Sequence, residues 1–287
     1  MRVEQSRLWE SGSETYYVKY LLDNSGEIEA ERKRPAVIVC PGGGYKYTSD
    51  REAEPIAMTF LAAGYNAFVL RYTTTANGDP AYPNPVYDAA RMMQTVRENA
   101  AEWGIDPDKI AICGFSAGGH LAASLAVRWQ DAFLSEKLGA EPAMLRPNAL
   151  ILGYPWLDVA HTNEIALRGA DDNFKALMRK IDTAMLGENF TEETIAEANP
   201  IHHVSPNVPP TFLWHTAGDG LIPAGNSLKL ALALENHGVP YELHVFETGG
   251  HGLSLATKVT GKNEQLNADA AQWLGLALRF LARHFES

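Results

Sequence analysis

Six short apolar runs recur along the chain, and stretches with helical spacing separate them. The runs are "AVIVC" (36–40), "AFVLRY" (67–72), "IAICG" (110–114), "ALILGY" (149–154), "TFLWHT" (211–216) and "YELHVF" (241–246). Most are continuous and rich in β-branched or aromatic residues, the pattern of strands buried on both faces of a parallel sheet. Between them apolar residues return at helical intervals. Ala89, Met93, Val96, Ala100 and Trp103 form one series, Gly118, Ala122, Leu125 and Trp129 a second, and Leu266, Ala270, Trp273, Ala277 and Phe280 a closing one. Gly238 follows "NSLKLALALENH", where a helix C-terminus favours a residue free to adopt positive φ. This alternation predicts an α/β fold, a mostly parallel central sheet with helices on both faces. "TYYVKYLL", within the first 34 residues, predicts antiparallel strands added at one edge.

The rhythm breaks once. From about Asp158 to Pro210 no strand pattern occurs, only polar helical stretches such as "DDNFKALMRKIDTAML" and then "NPIHHVSPNVPP". So long an excursion between core strands predicts a helical cap over one end of the sheet, the end where α/β enzymes bind ligands. The expected organisation is one domain over residues 1–287 with a cap at about 158–210, since a chain of this length can build a single large core.

Composition narrows the setting. Cys40 and Cys113 each sit in an apolar run and read as buried free thiols, not as a disulfide framework. The opening "MRVEQSRLWE" has no apolar segment and no run approaches 18 apolar residues, so a cytoplasmic protein with no membrane partner is expected. The formal net charge of −11 opposes nucleic acid and acidic surfaces, with Arg32-Lys33-Arg34 a short basic run before a strand. A homo-oligomer stays open.

Chemistry enters at "ICGFSAGGH" (112–120), where a strand pattern runs into a serine boxed by glycines and a helix pattern follows at once. Gly114-Phe115-Ser116-Ala117-Gly118 fits G-x-S-x-G, in which a strained strand-to-helix turn projects the serine hydroxyl above the sheet. A tight turn of no catalytic use is the alternative for the five residues alone. A serine nucleophile requires a base and an acid that orients it, in the chain order Ser, Asp, His on this kind of turn. Asp219 in "HTAGDGLIP" and His251 in "ETGGHGLS" each follow a core strand and supply them. Asp158 in "YPWLD" follows another strand and competes for the role of acid. Gly42, Gly43 and Gly44 in "CPGGGYKYTSD" end the first parallel strand, where backbone N–H groups can approach a substrate oxygen, and the N–H of Ala117 completes such a hole. Tyr45, Tyr47, Asp50 and Arg51 lie just beyond these glycines and, with Trp156, are expected to line the rim of a polar substrate pocket. Asp50 and Arg51 could instead pair with one another or with nearby glutamates. The histidines show no zinc spacing and neither G-x-G-x-x-G nor a Walker pattern occurs, so no metal or organic cofactor is expected.

Together "PGGGY", "SDREAEPIA", "GFSAGGHLA", "HTAGD" and "GGHG" resemble the α/β-hydrolase esterases of the acetyl-esterase and acetylxylan-esterase-like group, relatives of the hormone-sensitive-lipase-type esterases. The resemblance runs from about Pro35 to Phe285. It implies the α/β-hydrolase fold, Ser116, Asp219 and His251 as a triad, and Gly43, Gly44 and Ala117 as oxyanion donors. The sequence departs from the H-G-G-G form of the oxyanion motif by carrying Pro41 where that motif has histidine. The implied activity is hydrolysis of short acyl esters, acetyl esters of sugars or xylo-oligosaccharides among them. A peptidase, a formamidase or a lipase would use the same chemistry, and a binding protein of the same fold would have lost it.

Overall fold

The computed structural model describes residues 1–285. The chain opens with β1 (Arg2–Arg7) and β2 (Tyr16–Leu21), continues through β3 (Arg34–Cys40), α1 (Glu54–Ala62), β4 (Asn66–Arg71) and α2 (Asn84–Glu98), and reaches β5 (Ile105–Phe115) and α3 (Ala117–Arg128). Two short helices, α4 (Ala132–Leu138) and α5 (Pro142–Leu145), lead to β6 (Ala149–Gly153). Three helices follow before the next strand: α6 (Val159–Ala166), α7 (Asp172–Leu186) and α8 (Glu192–Ala198). The chain then runs through β7 (Thr211–Thr216), α9 (Gly225–Asn236), β8 (Tyr241–Phe246) and α10 (Trp273–Phe285).

The eight strands form one sheet in the order β1-β2-β4-β3-β5-β6-β7-β8. The β1–β2 and β2–β4 pairs are antiparallel and every later pair is parallel, so the antiparallel strands occupy one edge as the sequence predicts. Alternate residues of a strand enter opposite cores. Ile38 and Cys40 join α2, α3 and α9 on one face, while Val37 and Val39 join α1 and α10 on the other. That double burial is why these strands read as unbroken apolar runs. Both cysteines are buried free thiols. Among the described residues no helix is long and apolar enough to cross a membrane.

Two helical series overran their elements. The α2 helix stops at Glu98, and Ala100 and Trp103, though buried, belong to the turns that lead into β5. There Trp103 N–H donates to Asn99 O at 2.9 Å and Ile105 N–H to Ala100 O at 2.8 Å. The α10 helix starts only at Trp273, because Asn267 Oδ1 accepts from the Asp269 and Ala270 N–H groups at 3.1 and 2.9 Å and fixes a turn ahead of it. Leu266 therefore lies outside the helix. Gly238 has φ +68° just past α9, as its place in the sequence requires.

Candidate active site

Every parallel strand points its carboxyl end the same way, and four loops meet there: residues 42–51 after β3, Ser116 after β5, Asp219 after β7 and His251 after β8. Ser116 carries φ 52° and ψ −118°, outside the conformations open to most non-glycine residues. The close quarters explain its glycine neighbours. A Cβ on Gly114 would stand 2.1 Å from Gly118 O, and one on Gly118 would stand 2.1 Å from Cys40 O, so neither position admits a side chain. Ser116 N–H donates to Gly153 O at 3.1 Å, and the His120 N–H donates to Ser116 O at 3.0 Å as α3 begins. The hydroxyl thus stands at the N-terminus of a twelve-residue helix, which favours negative charge.

Ser116 Oγ lies 2.8 Å from His251 Nε2, and His251 Nδ1 lies 2.6 Å from Asp219 Oδ2. A carboxylate only accepts, so Nδ1 carries the proton and Nε2 is left to accept from the serine. Asp219 is held from several sides. Its Oδ1 accepts from the Leu221 and Ile222 N–H groups at 3.0 and 2.9 Å, and its Oδ2 lies 3.4 Å from His215 Nε2. Burial alone would raise the Asp219 carboxyl. The facing His251 and the hydrogen bonds from His215 and His251 outweigh it and hold the group well below the usual carboxylate range. His215 donates from Nε2 to Ile222 O at 2.8 Å and accepts from Ser227 Oγ at 2.8 Å, so it braces the acid's loop from within β7. His215 lies inside the run "TFLWHT", and its inward face could be read only once β7 and α9 were packed together.

Asp158 is engaged elsewhere. It caps α6 by accepting from His161 N–H at 2.9 Å and pairs with Lys229 Nζ at 2.7 Å. Of the two candidate acids, Asp219 is the one that reaches His251.

The glycine loop divides its tasks. Gly42 N–H donates to Glu52 Oε2 at 2.8 Å and is not available to a substrate. Gly43 and Gly44 line the same cavity as Ser116, and Ala117, first residue of α3, has no intrahelical acceptor for its N–H. In place of the motif's histidine, Pro41 offers its carbonyl to Tyr72 OH at 2.6 Å.

The cavity around Ser116 has a volume of about 340 Å³. Trp156, Ile181 and Ile222 give it apolar walls, while Tyr47, Ser49 and Arg51 stand on its polar side. Two rim residues expected from the sequence are elsewhere. Tyr45 is 1% exposed, because its φ of +57° turns the ring inward, where its hydroxyl meets His120 Nδ1 at 2.7 Å. Asp50 points to solvent and pairs with Arg71 Nη1 at 2.9 Å. Arg51 borders the cavity but spends its guanidinium on Gly252 O at 2.9 Å and on Thr260 O. Tyr47 is 58% exposed at the mouth, and Trp156 is buried in the wall. Glu52, 5% exposed and beside Gly42, was missed; its signal was its place in "SDREAEPIA", ten residues after that glycine.

The endo-1,4-β-xylanase B of Butyrivibrio fibrisolvens is 35% identical over 226 residues, 78% of this chain and 33% of that protein. The chain spans a third to about half the length of the first curated relatives it matches, 33%, 45% and 54% of them. Among solved structures, the carboxylesterase Cest-2923 of Lactobacillus plantarum superposes with a TM-score of 0.84 at 31% identity, covering 99% of this chain and 98% of that one. The acetyl ester-xyloside bifunctional hydrolase of Caldicellulosiruptor lactoaceticus gives 0.78 at 31% identity, over 98% and 96%. The fold is that of the α/β-hydrolases. The BD-FAE family model matches residues 22–234, and the chain belongs to that family.

Proposed function

We propose that the protein is a serine esterase for short acyl groups, acetyl esters of carbohydrates foremost. The observation that carries the reading is the continuous line of hydrogen bonds from Ser116 Oγ through His251 to Asp219, at 2.8 and 2.6 Å. Ser116 attacks the ester carbonyl while His251 Nε2 takes its proton. Asp219, kept ionised by the bonds already described, holds the imidazole in the required tautomer and stabilises it once charged. The N–H groups of Ala117 and of Gly43 or Gly44 receive the oxyanion, each donor contributing about 3 kcal/mol in the transition state. His251 then delivers its proton to the leaving alcohol. Water, activated by the same histidine, hydrolyses the acyl-enzyme.

The size of the cavity supports the short acyl group, since about 340 Å³ lies at the small end of ligand pockets and must also admit the alcohol. The relatives named for xylan or xyloside chemistry support the carbohydrate. Tyr47, Arg51 and Trp156 are the residues at hand to contact it.

The test is a hydrolysis panel of acetyl, butyryl and octanoyl esters beside acetylated xylo-oligosaccharides, with Ser116→Ala as control. Acetyl esters should exceed octanoyl esters by at least about tenfold in kcat/KM, and Ser116→Ala should lose nearly all activity. A preference for octanoyl esters would overturn the acyl assignment, and a tenth of wild-type kcat in Ser116→Ala would overturn the nucleophile.

A further inference from the structure

The oxyanion loop and the histidine loop come from strands far apart in sequence, yet catalysis requires their atoms to hold one geometry. A single buried carboxylate lies between them. Glu52 Oε2 accepts from Gly42 N–H at 2.8 Å, and Glu52 Oε1 accepts from Tyr154 OH at 2.6 Å. The Tyr154 hydroxyl in turn accepts from Ser254 N–H at 2.8 Å, three residues past His251. The Tyr154 ring stands edge-on to the His251 imidazole with centroids 5.1 Å apart, and edge-on to Trp214 at 4.9 Å. Gly42 is pressed against the nucleophile, since a Cβ built on it would lie 3.0 Å from Ser116 Cβ.

The turn that carries Glu52 is itself anchored at both ends. Arg51 O accepts from Ser254 Oγ at 2.5 Å, and the Arg51 guanidinium donates to Gly252 O at 2.9 Å, so the same turn grips the histidine loop twice more. On the other side Arg71 of β4 pairs with Asp50 and Glu54 at 2.9 and 2.7 Å and fixes the turn to the sheet. Asp50 and Arg51 thus belong to a bracket, and Glu52 is its inward arm.

We propose that Glu52 is a positioning residue for the hydrolytic reaction, holding the oxyanion loop through Gly42 and the His251 loop through Tyr154. The proposal rests on the reading of Ser116 as nucleophile. Without the carboxylate, Gly42 N–H and Tyr154 OH lose a shared acceptor, and the two loops lose their common reference. The neighbouring donors then drift from the oxyanion's position, and a displacement of about 1 Å is costly in such a site. Glu52 does not touch the substrate's reacting atoms in this scheme, so KM should change little.

The test compares wild type, Glu52→Gln, Tyr154→Phe and the double variant. It reads kcat and KM on 4-nitrophenyl acetate, and the rate of Ser116 labelling by a fluorophosphonate per titrated active site. Counting labelled sites removes any misfolded fraction. Each single variant should lower kcat about tenfold to a hundredfold, less than the roughly 10²–10³ lost with an outright donor. KM should stay within about threefold, and per-site labelling should slow in parallel. The double variant should be little worse than Glu52→Gln, because both act on one connection. Per-site labelling and kcat within twofold of wild type in Glu52→Gln would overturn the proposal, as would losses that multiply in the double variant. If Glu52→Gln fails to fold, Tyr154→Phe, which keeps the ring contacts, decides by the same criteria. Wild type that takes no label would instead remove Ser116 as nucleophile, and this proposal with it.

Discussion

Asp158 and Asp219 both follow core strands, and their side chains differ in what surrounds them. Asp219 has both oxygens occupied by donors of its own loop and by His251, while Asp158 is divided between a helix cap and Lys229. Asp219→Asn should therefore lower kcat by about three to four orders of magnitude, since an amide facing Nδ1 favours the wrong imidazole tautomer. Asp158→Asn should lower kcat less than about threefold and cost about 1 kcal/mol through the weakened cap and ion pair. Steady-state kinetics of the two variants, with urea unfolding of the second, checks both statements, and the reverse order of kcat would move the acid to the loop after β6. That Ser116, His251 and Asp219 come together was legible, because motif and chain order constrain them strongly. The rim was less legible. Spacing along "GGGYKYTSDRE" says which residues are near the glycines, but a positive φ at Tyr45 sends that ring under the loop while Tyr47 stays in solvent. Arg51 was expected at the pocket rim and Glu52 was missed, because their partners, Gly252, Ser254 and Tyr154, come from loops that only the folded sheet brings close.

At the scale of elements, α3 does more than follow Ser116. His120, one turn on, donates from Nε2 to Ala198 O at the end of α8 at 2.7 Å, and its Nδ1 accepts from Tyr45 OH at 2.7 Å. One imidazole therefore joins the helix after Ser116, the glycine loop after β3 and the helical insertion. Burial pushes His120 down to about 4, only partly opposed by its bond to the Ala198 carbonyl, so the ring is neutral when folded. The unfolded chain takes a proton there below about pH 6.5 while the folded chain does not until about pH 4, so stability falls as pH drops through that window. Between pH 7.5 and 5 this one group should account for about 2 kcal/mol of lost stability. Urea unfolding at the two pH values should show wild type losing about that much more than His120→Gln, whose amide cannot take the proton. Equal losses would mean that His120 titrates normally or that other groups dominate. The strands around these helices were legible to within a few residues, because burial on both faces writes them as apolar runs. The ends of α2 and the start of α10 were not. Ala100, Trp103 and Ala270 are buried in turns at intervals that continue the helical count, and periodicity cannot tell a buried turn from another turn of helix.

Over the whole molecule, the sheet brings together loops from four strands, and the helices between β6 and β7 supply the wall facing them. The length of that excursion was plain in the sequence; where α7 would lie was not, because its apolar stripe names a buried face without naming its partner. In the structure Ile181 of α7 lies over the glycine loop after β3, its Cγ1 3.4 Å from where a Cβ on Gly44 would stand. Ile181 is nearly buried, and Leu177, one turn earlier on α7, borders the same cavity. On the proposed reading, the reach of the acyl pocket is set by a helix that the hydrolytic atoms do not require, and size selection should be separable from chemistry. Ile181→Ala opens about three methyl-sized groups of space beside Gly44, at a cost in stability of about 2–4 kcal/mol for a buried aliphatic side chain. Leu177→Ala, at a more exposed position, should cost less. In both variants kcat/KM for butyryl esters should rise relative to acetyl esters, by roughly 10-fold for Ile181→Ala if the extra methylenes fill the space it vacates. Per-site labelling of Ser116 by a small fluorophosphonate should stay near wild type, since the serine, its base and its acid are untouched. The panel should vary the alcohol as well as the acid. If Ile181→Ala widens the range of alcohols and leaves the acyl preference fixed, α7 bounds the leaving-group side, and the short-acyl limit must come from Trp156 and Ile222 on the sheet side of the cavity.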